Sequence, residues 1–242
     1  MELLGHDARE KLSKAHVAIM GVGGLGSMEA QLLAYLGVGR LILVDNDNVE
    51  EGNLDRQVMH WEEDLGTPKV YSAARKIRRI NSAVKVETYR FDITRSPNLL
   101  NKVVSRVDIV LDGLDNWDAR LAVDEAAWRL GKPFIHAGVQ RLYGQVAPLA
   151  RGKTTCLRCV LGVIRRGLDR RKRRTVTLIP AVAIVASTAV FEAVKIITGS
   201  GEPNYGKMII IDLYSTRMFT VKLPETSECR CLEDEEANTS KH

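Results

Sequence analysis

Arg56 and Lys69 are the two cations on which the chemistry of this sequence turns. They follow a glycine-rich stretch, Gly21-Val22-Gly23-Gly24-Leu25-Gly26, and they share a polar segment with Asp45, Asp47, Asn53 and Gln57. Glycines let a backbone turn tightly and approach a phosphate, which helix N–H groups then bind. Asp45 lies 19 residues beyond Gly26, about where a carboxylate meets a ribose hydroxyl. Glycines and acid together predict a nucleotide and leave a dehydrogenase open. Arg56 and Lys69 move the balance toward a nucleoside triphosphate, because their charge would offset the phosphates and the charge developing at an α-phosphorus. An arginine accepting the 2′-phosphate of NADP would sit badly beside Asp45. The plainer alternative is a solvated loop with scattered charges. Against it stands the position of so polar a loop at a strand's C-terminal edge, where α/β sites form.

A second acidic group follows the apolar run Ile109–Leu111, at Asp112, Asp115 and Asp118, with Asn116 among them. A carboxylate there could hold Mg²⁺, which takes one or two carboxylates, phosphate oxygens and several waters. The three aspartates compete for that role, and each could equally serve as a helix cap or first-turn acid. The four cysteines fall in two pairs, Cys156/Cys159 and Cys229/Cys231. Paired spacing without an export signal suggests metal rather than disulfides. A Cys₄ set with no open position predicts structural Zn²⁺ pinning the C-terminal segment to the body. A redox Cys-x-x-Cys is the rival and leaves the second pair unexplained. The histidines His6, His16, His60, His136 and His242 show no metal spacing and are expected to be structural or superficial.

Elements able to position these groups can be read in order. Residues 1–15 form an amphipathic helix or arm, and His16–Met20 is a buried strand. After the glycine turn, Met28–Leu36 reads as a helix and Arg40–Val44 as a second strand. The polar segment after Asp45 is a loop with one helical turn. Thr67 would cap, and Pro68 begin, a helix over Lys69–Ile80. Lys85–Phe91 alternates as a strand, Ile109–Leu111 is a third buried strand, Trp117–Leu130 a helix and Phe134–Ala137 a strand. Gly144–Pro148 is expected as a strand, Pro180–Thr198 as a helix closed by Gly199, and Lys207–Ile211 with Met218–Leu223 as an antiparallel hairpin. The fold class is α/β: a Rossmann-like βαβ nucleotide-binding half continuing into a mixed sheet with C-terminal antiparallel strands and the zinc site. The expected organisation is a single domain. Residues 1–140 form its nucleotide-binding half, 141–232 its partner-binding and zinc half, and 233–242 a disordered acidic tail.

Composition narrows the class. The net charge of +5 in 242 residues is local, since Arg165–Arg174 holds seven basic residues and one acid and the remainder is near −1. One segment is basic and the protein is not. The chain opens without a basic start and apolar run, so no signal peptide is expected and the location is read as cytoplasmic. The apolar run Leu178–Val190 is too short to span a bilayer and is read as a buried helix.

Taken together these residues resemble the ThiF/MoeB/HesA superfamily, the adenylating enzymes related to ubiquitin-activating enzymes. The resemblance rests on Gly21–Gly26, Val44-Asp-Asn-Asp47, Gly52-Asn-Leu-Asp-Arg-Gln57, Gly66-Thr-Pro-Lys69, Leu114-Asp-Asn-Trp-Asp-Ala-Arg120 and the cysteine pairs, and it spans nearly the whole chain. It implies ATP- and Mg²⁺-dependent adenylation of the C-terminal glycine of a small ubiquitin-like or sulfur-carrier protein ending in Gly-Gly. Asp45 would bind the ribose, and Asn53, Arg56 and Lys69 would contact phosphates. Asp115 would bind or orient Mg²⁺. It also implies a homodimer whose partner protein threads its tail beneath a crossover loop.

Two departures stand out. Relatives carry an Arg-Tyr-x-Arg-Gln arm ahead of the first helix. This sequence begins too late for it, so the start lies upstream, another basic residue substitutes, or activity is reduced. The crossover segment Arg165–Thr177 holds no cysteine, which implies that the reaction stops at the adenylate. Its arginines would then attract an acidic carrier, stand in for the arm, or simply be solvated. Two rivals remain: a tRNA-directed relative that cyclises threonylcarbamoyl-adenosine, and an inactive scaffold subunit.

Overall fold

A computed structural model describes residues 7–164 and 177–225. One eight-stranded sheet carries everything else, in the order β3-β2-β1-β4-β5-β6-β7-β8. Its strands are β1 (His16–Met20), β2 (Arg40–Val44), β3 (Lys85–Tyr89), β4 (Ile109–Asp112), β5 (Phe134–Gln140), β6 (Tyr143–Leu149), β7 (Lys207–Asp212) and β8 (Arg217–Lys222). The first five pair in parallel. From β5 onward each neighbour is antiparallel. The strand order reverses between β1 and β4, and in open α/β sheets ligands bind at the carboxyl ends of the strands flanking such a point.

Burial explains why the central strands read as apolar runs. Val17 and Ile19 of β1 face one core with Leu41 and Leu43 of β2, while Ala18, Met20, Ile42 and Val44 face the other. A strand buried on both sides loses the polar alternation of a half-exposed one. The first core is covered by α1 (Ala8–Lys14), α2 (Gly24–Leu36), α3 (Lys69–Ile80) and α7 (Ile179–Thr198). The second is covered by α4 (Pro97–Val104), α5 (Trp117–Arg129) and α6 (Leu157–Ile164). Each fully buried aliphatic side chain contributes about 1.5–3 kcal/mol, so the paired cores hold the strand ends that carry the site.

Helix α7 has 20 residues and a mean hydropathy of 1.8, long and apolar enough to cross a membrane by those measures alone. It packs instead on α2, β5 and β6, burying Val182, Val185, Ala186 and Ala189. Gly199 closes it in the left-handed region, at φ 71°.

Several boundaries differ from the sequence reading. Helix α2 begins at Gly24 rather than Met28, so Gly24 and Gly26 belong to its first turn and Gly23 is its cap. The strand expected to reach Phe91 ends at Tyr89, β5 runs on to Gln140, and β6 starts at Tyr143. Pro68, not Thr67, occupies the cap of α3, because it bridges to Asn48 while Thr67 bonds back to Asp64 and Val49. Helices α4 and α6 have no counterpart in the sequence reading. Both have eight residues, too few for a helical period to stand out. The basic stretch Arg165–Arg174, Cys229, Cys231, His6, His242 and the acidic tail lie outside the described residues.

Candidate functional site

The glycine turn is fixed by close backbone packing across the switch point. Gly21 has φ 84°, and a Cβ on it would lie 2.7 Å from the Gly113 carbonyl oxygen. A Cβ on Gly26 would fall 1.9 Å from the Gly21 oxygen, and one on Gly113 only 2.4 Å from the same atom. Gly21, Gly26 and Gly113 therefore lock the end of β1 to the end of β4. Gly23 and Gly24 have more room, since the nearest atoms to an added Cβ lie at 3.7 and 3.6 Å. They leave the surface beside the α2 N-terminus open to a ligand. Two glycine roles are thus separated that the sequence presents as one motif, and Gly113 joins the packing set unforeseen.

A cleft of about 740 Å³ opens over this turn. Gly21, Gly23, Gly24, Asp45, Asp47, Asn53, Arg56, Gln57, Lys69, Asp115 and Asn116 all line it; of the anticipated residues around the nucleotide, Gly26 alone does not. Its volume suits a mononucleotide, since ligand sites commonly span about 300–1,000 Å³. The cleft also receives Phe91, Asp92, Ile93 and Thr94, which follow β3. A strand drawn as far as Phe91 takes Phe91 out of the site; ending β3 at Tyr89 places all four residues on the edge that carries Asp45.

Asp45 is organised by backbone. Its Oδ2 accepts the Val22 N–H at 2.7 Å and its Oδ1 the Asp47 N–H at 2.8 Å. Burial pushes its carboxyl above the usual range, against the pull of Lys69 and these two N–H groups. Lys69 is nearly buried, and its Nζ reaches the exposed Asp47 carboxylate at 3.0 Å. The Lys69 N–H also bonds the Asp47 oxygen, so α3 starts against the Asp47 backbone. A phosphate entering here would compete with a solvated carboxylate for a poorly solvated ammonium. Arg56 donates to the Gly52 oxygen at 2.8 Å and to Asp55 at 2.7 Å, and it stays partly exposed to the cleft. Gln57 donates to Asn53 Oδ1 at 2.7 Å, and its own Oε1 is buried with no hydrogen-bond partner among the described residues.

The three competing aspartates separate cleanly. Asp112 is fully buried: Oδ2 accepts from His136 Nδ1 at 2.7 Å and lies 3.2 Å from Arg120 Nε, while Oδ1 accepts the Leu114 N–H at 3.0 Å. Its carboxylate is committed to these partners and does not line the cleft. Asp115 and Asp118 are exposed and do line it. None of the three caps α5; Asn116 does, accepting the Ala119 N–H at 2.9 Å. Arg120 also donates to the Leu114 oxygen, which ties the Asp115 turn to the buried group.

That buried group continues inward. Gln145 Nε2 donates to His136 Nε2 at 3.0 Å, which fixes the imidazole proton on Nδ1, facing Asp112. Burial lowers the His136 pKa, against the opposing effect of Asp112. Glu29 of α2 is fully buried, and neither oxygen has a hydrogen-bond partner among the described residues. Burial, with Asp112 nearby, raises its pKa well above the usual carboxyl range. Of the histidines expected to be structural or superficial, His60 and His136 are buried, with both ring nitrogens of each at hydrogen-bonding distance from a partner.

Cys156 and Cys159 sit elsewhere, at the start of α6. Cys156 is buried, and the next residue's N–H is held at 2.8 Å by Asp124, whose carboxyl is pushed up to about 7 by burial. Among the described residues no three His, Cys, Asp or Glu gather as a metal group. Two cysteines are half of what a tetrahedral Cys₄ zinc site would need.

The ThiF family model matches residues 1–232. The adenylyltransferase and sulfurtransferase MOCS3-1 of Zea mays is 35% identical over 235 residues, covering 93% of this chain and 49% of that protein. The chain thus spans about half the length of the maize relative. The sulfur carrier protein adenylyltransferase of Thermus thermophilus is 32% identical over 243 residues, covering 96% of this chain and 87% of that protein. Among solved structures, E. coli MccB with ATP superposes with a TM-score of 0.82 at 27% identity, covering 92% of this chain and 68% of that one. Fold, glycine turn and the match over residues 1–232 agree: the chain belongs to the ThiF family.

Proposed function

We propose that this chain adenylates the C-terminal glycine of a small ubiquitin-like or sulfur-carrier protein, using ATP. The observation that carries the reading is the convergence of Lys69, Arg56, Asp45 and Asp115 on one cleft at the strand-order switch. A carboxylate oxygen of the carrier forms a bond to the α-phosphorus as the bond to the bridging oxygen breaks, and pyrophosphate leaves with that electron pair. Lys69 and Arg56 offset charge on the phosphates, an effect strengthened where water is scarce. Asp45 receives the ribose through lone pairs left by its two N–H bonds. The exposed Asp115, with Asp118 beside it, is the carboxylate site for Mg²⁺, which would neutralise phosphate charge when bound. The named activities of the maize and Thermus relatives support the reaction class.

The same reading includes a homodimer working in the cytoplasm and a Zn²⁺ held by Cys156, Cys159, Cys229 and Cys231, with no thiol left for covalent catalysis. Metal analysis of the purified chain should find about one zinc per protomer, lost in Cys229→Ser; a metal-free parent would remove the zinc. The function itself is tested by ATP–pyrophosphate exchange. Exchange should depend on a Gly-Gly-ended carrier and should not be replaced by tRNA.

A further inference from the structure

His60 is 2% exposed, and both ring nitrogens are used. Nε2 lies 2.8 Å from the Val22 carbonyl oxygen, and Nδ1 lies 3.0 Å from Ser72 Oγ. A carbonyl only accepts, so Nε2 carries the proton when the ring is neutral, and Nδ1 is then an acceptor facing the Ser72 hydroxyl, whose single proton it shares with the Met59 carbonyl oxygen 3.1 Å away. Burial depresses the His60 pKa, with Lys76 and Lys69 acting in the same direction and Asp64 in the opposite one. The Val22 hydrogen bond also works against burial, and the net effect of the surroundings favours the neutral ring.

What lies at the two ends gives this bridge its meaning. Val22 sits within the glycine turn, one residue after Gly21 with its positive φ. Its N–H is already held by Asp45, so the residue is clamped on both sides, by Asp45 through nitrogen and by His60 through oxygen. Ser72 is on α3, one turn beyond Lys69, and its hydroxyl also receives Lys76 Nζ at 3.1 Å. The ring thus joins the turn that seats the nucleotide to the helix that presents the phosphate-side ammonium. Among the described residues, no other side chain hydrogen-bonds to both elements.

We infer that His60 is a positioning residue for the nucleotide, coupling the glycine turn to the Lys69 helix through the Val22 carbonyl and the Ser72 hydroxyl. The inference rests on the ATP reading above. Gln and Asn divide the ring's two bonds between them. His60→Gln keeps an N–H where Nε2 stood and can still donate to Val22, whereas His60→Asn reaches only the Ser72 side. Losing one buried hydrogen bond of this kind costs close to tenfold in an equilibrium constant, on the order of the net worth of such a bond.

The experiment is ATP·Mg²⁺ binding by calorimetry on the full chain, with thermal unfolding measured on the same samples. His60→Asn should weaken ATP about tenfold, His60→Gln should stay within about threefold of the parent, and the two should melt at similar temperatures. Equal ATP affinity in parent and His60→Asn overturns the inference. So does an equal loss in both variants that tracks their melting temperatures, because that is a core histidine and nothing more. If neither His60 variant folds, Ser72→Ala decides: about threefold weaker ATP supports the coupling, and unchanged affinity overturns it. A parent chain that binds no ATP would sink the functional reading and this inference with it, a result distinct from every outcome among the variants.

Discussion

Two groups of charged residues share one sheet edge and are built on opposite principles. The cleft group, Asp45, Asp47, Arg56, Lys69 and Asp115, is incompletely paired and open to solvent on one side. The group behind it, Glu29, Asp112, Arg120, His136 and Gln145, is closed within the fold. Asp112 and Asp115 stand three residues apart and make the point in miniature. One accepts from Leu114 and His136 beside Arg120 and is sealed; the other is exposed and, among the described residues, bonded only to its neighbour Asn116. Charge that must meet a ligand keeps capacity in reserve. Charge that must hold a turn does not. A buried ion pair is sensitive to loss of one partner, whereas an exposed pair contributes little to stability.

The largest effect that would sharpen this contrast is on Lys69. Lys69→Ala removes a nearly buried cation that lines the cleft and, on the proposed reaction, should lower the pyrophosphate-exchange rate by about 10²–10³-fold, comparable to removing one preorganised charge stabiliser. Its melting temperature should move little, because the partner Asp47 is solvated. Asp112→Ala should invert that pattern. Removing one member of a buried pair costs about 3–5 kcal/mol, so chemical denaturation should show a stability loss of that size, and activity should fall only through the fraction unfolded and a loosened Asp115 turn. A milder change is expected for Asp115→Ala: about tenfold to a hundredfold loss of exchange, relieved in part by raised Mg²⁺, with unfolding unchanged. A stability loss equal to that of Asp112→Ala would break the comparison.

The smallest effect concerns Glu29 and reads out through pH. Its folded pKa is raised by burial, with Asp112 adding to the rise. A carboxyl of that kind favours the folded state fully below its ordinary value of 4.5, and the contribution is lost as pH rises through the folded pKa. Glu29→Gln, which cannot ionise, should therefore gain stability relative to the parent on the alkaline side, by about 1 kcal/mol or more. Denaturation curves at about pH 5 and about pH 8 check it. A parent-to-variant difference that stays constant between them would contradict the placement of a neutral carboxyl there.

Much of the cleft was legible in the sequence, and the closed group was not. Gly21, Asp45, Asn53, Arg56 and Lys69 announce themselves because nucleotide chemistry needs those residue types at strand ends, and strand ends can be found from apolar runs. The two-sided burial of β1, β2 and β4 made those runs unmistakable. Glu29 gave no signal: a glutamate between the methionine and alanine of a helix reads as a surface residue until the sheet closes over it. Arg120 ends one of the sequence motifs and His136 reads as structural or superficial, but their meeting at Asp112 gave no signal, since it depends on β4 pairing with β5 and on α5 folding back over both. Gly113 could have been found from its place at the end of β4, but only the contact with Gly21 and Gly26 gives it a reason. Short helices escaped for want of length. For the zinc set the sequence runs ahead of the structure, because Cys229 and Cys231 lie outside the described residues.

The most direct test of the adenylating role is ATP–pyrophosphate exchange by the intact chain with a ubiquitin-like or sulfur-carrier protein that ends in Gly-Gly. Exchange should require Mg²⁺, disappear when the terminal glycine is removed, and fall by about 10²-fold or more in Lys69→Ala. Exchange with no carrier present, or equal exchange in Lys69→Ala, would contradict it.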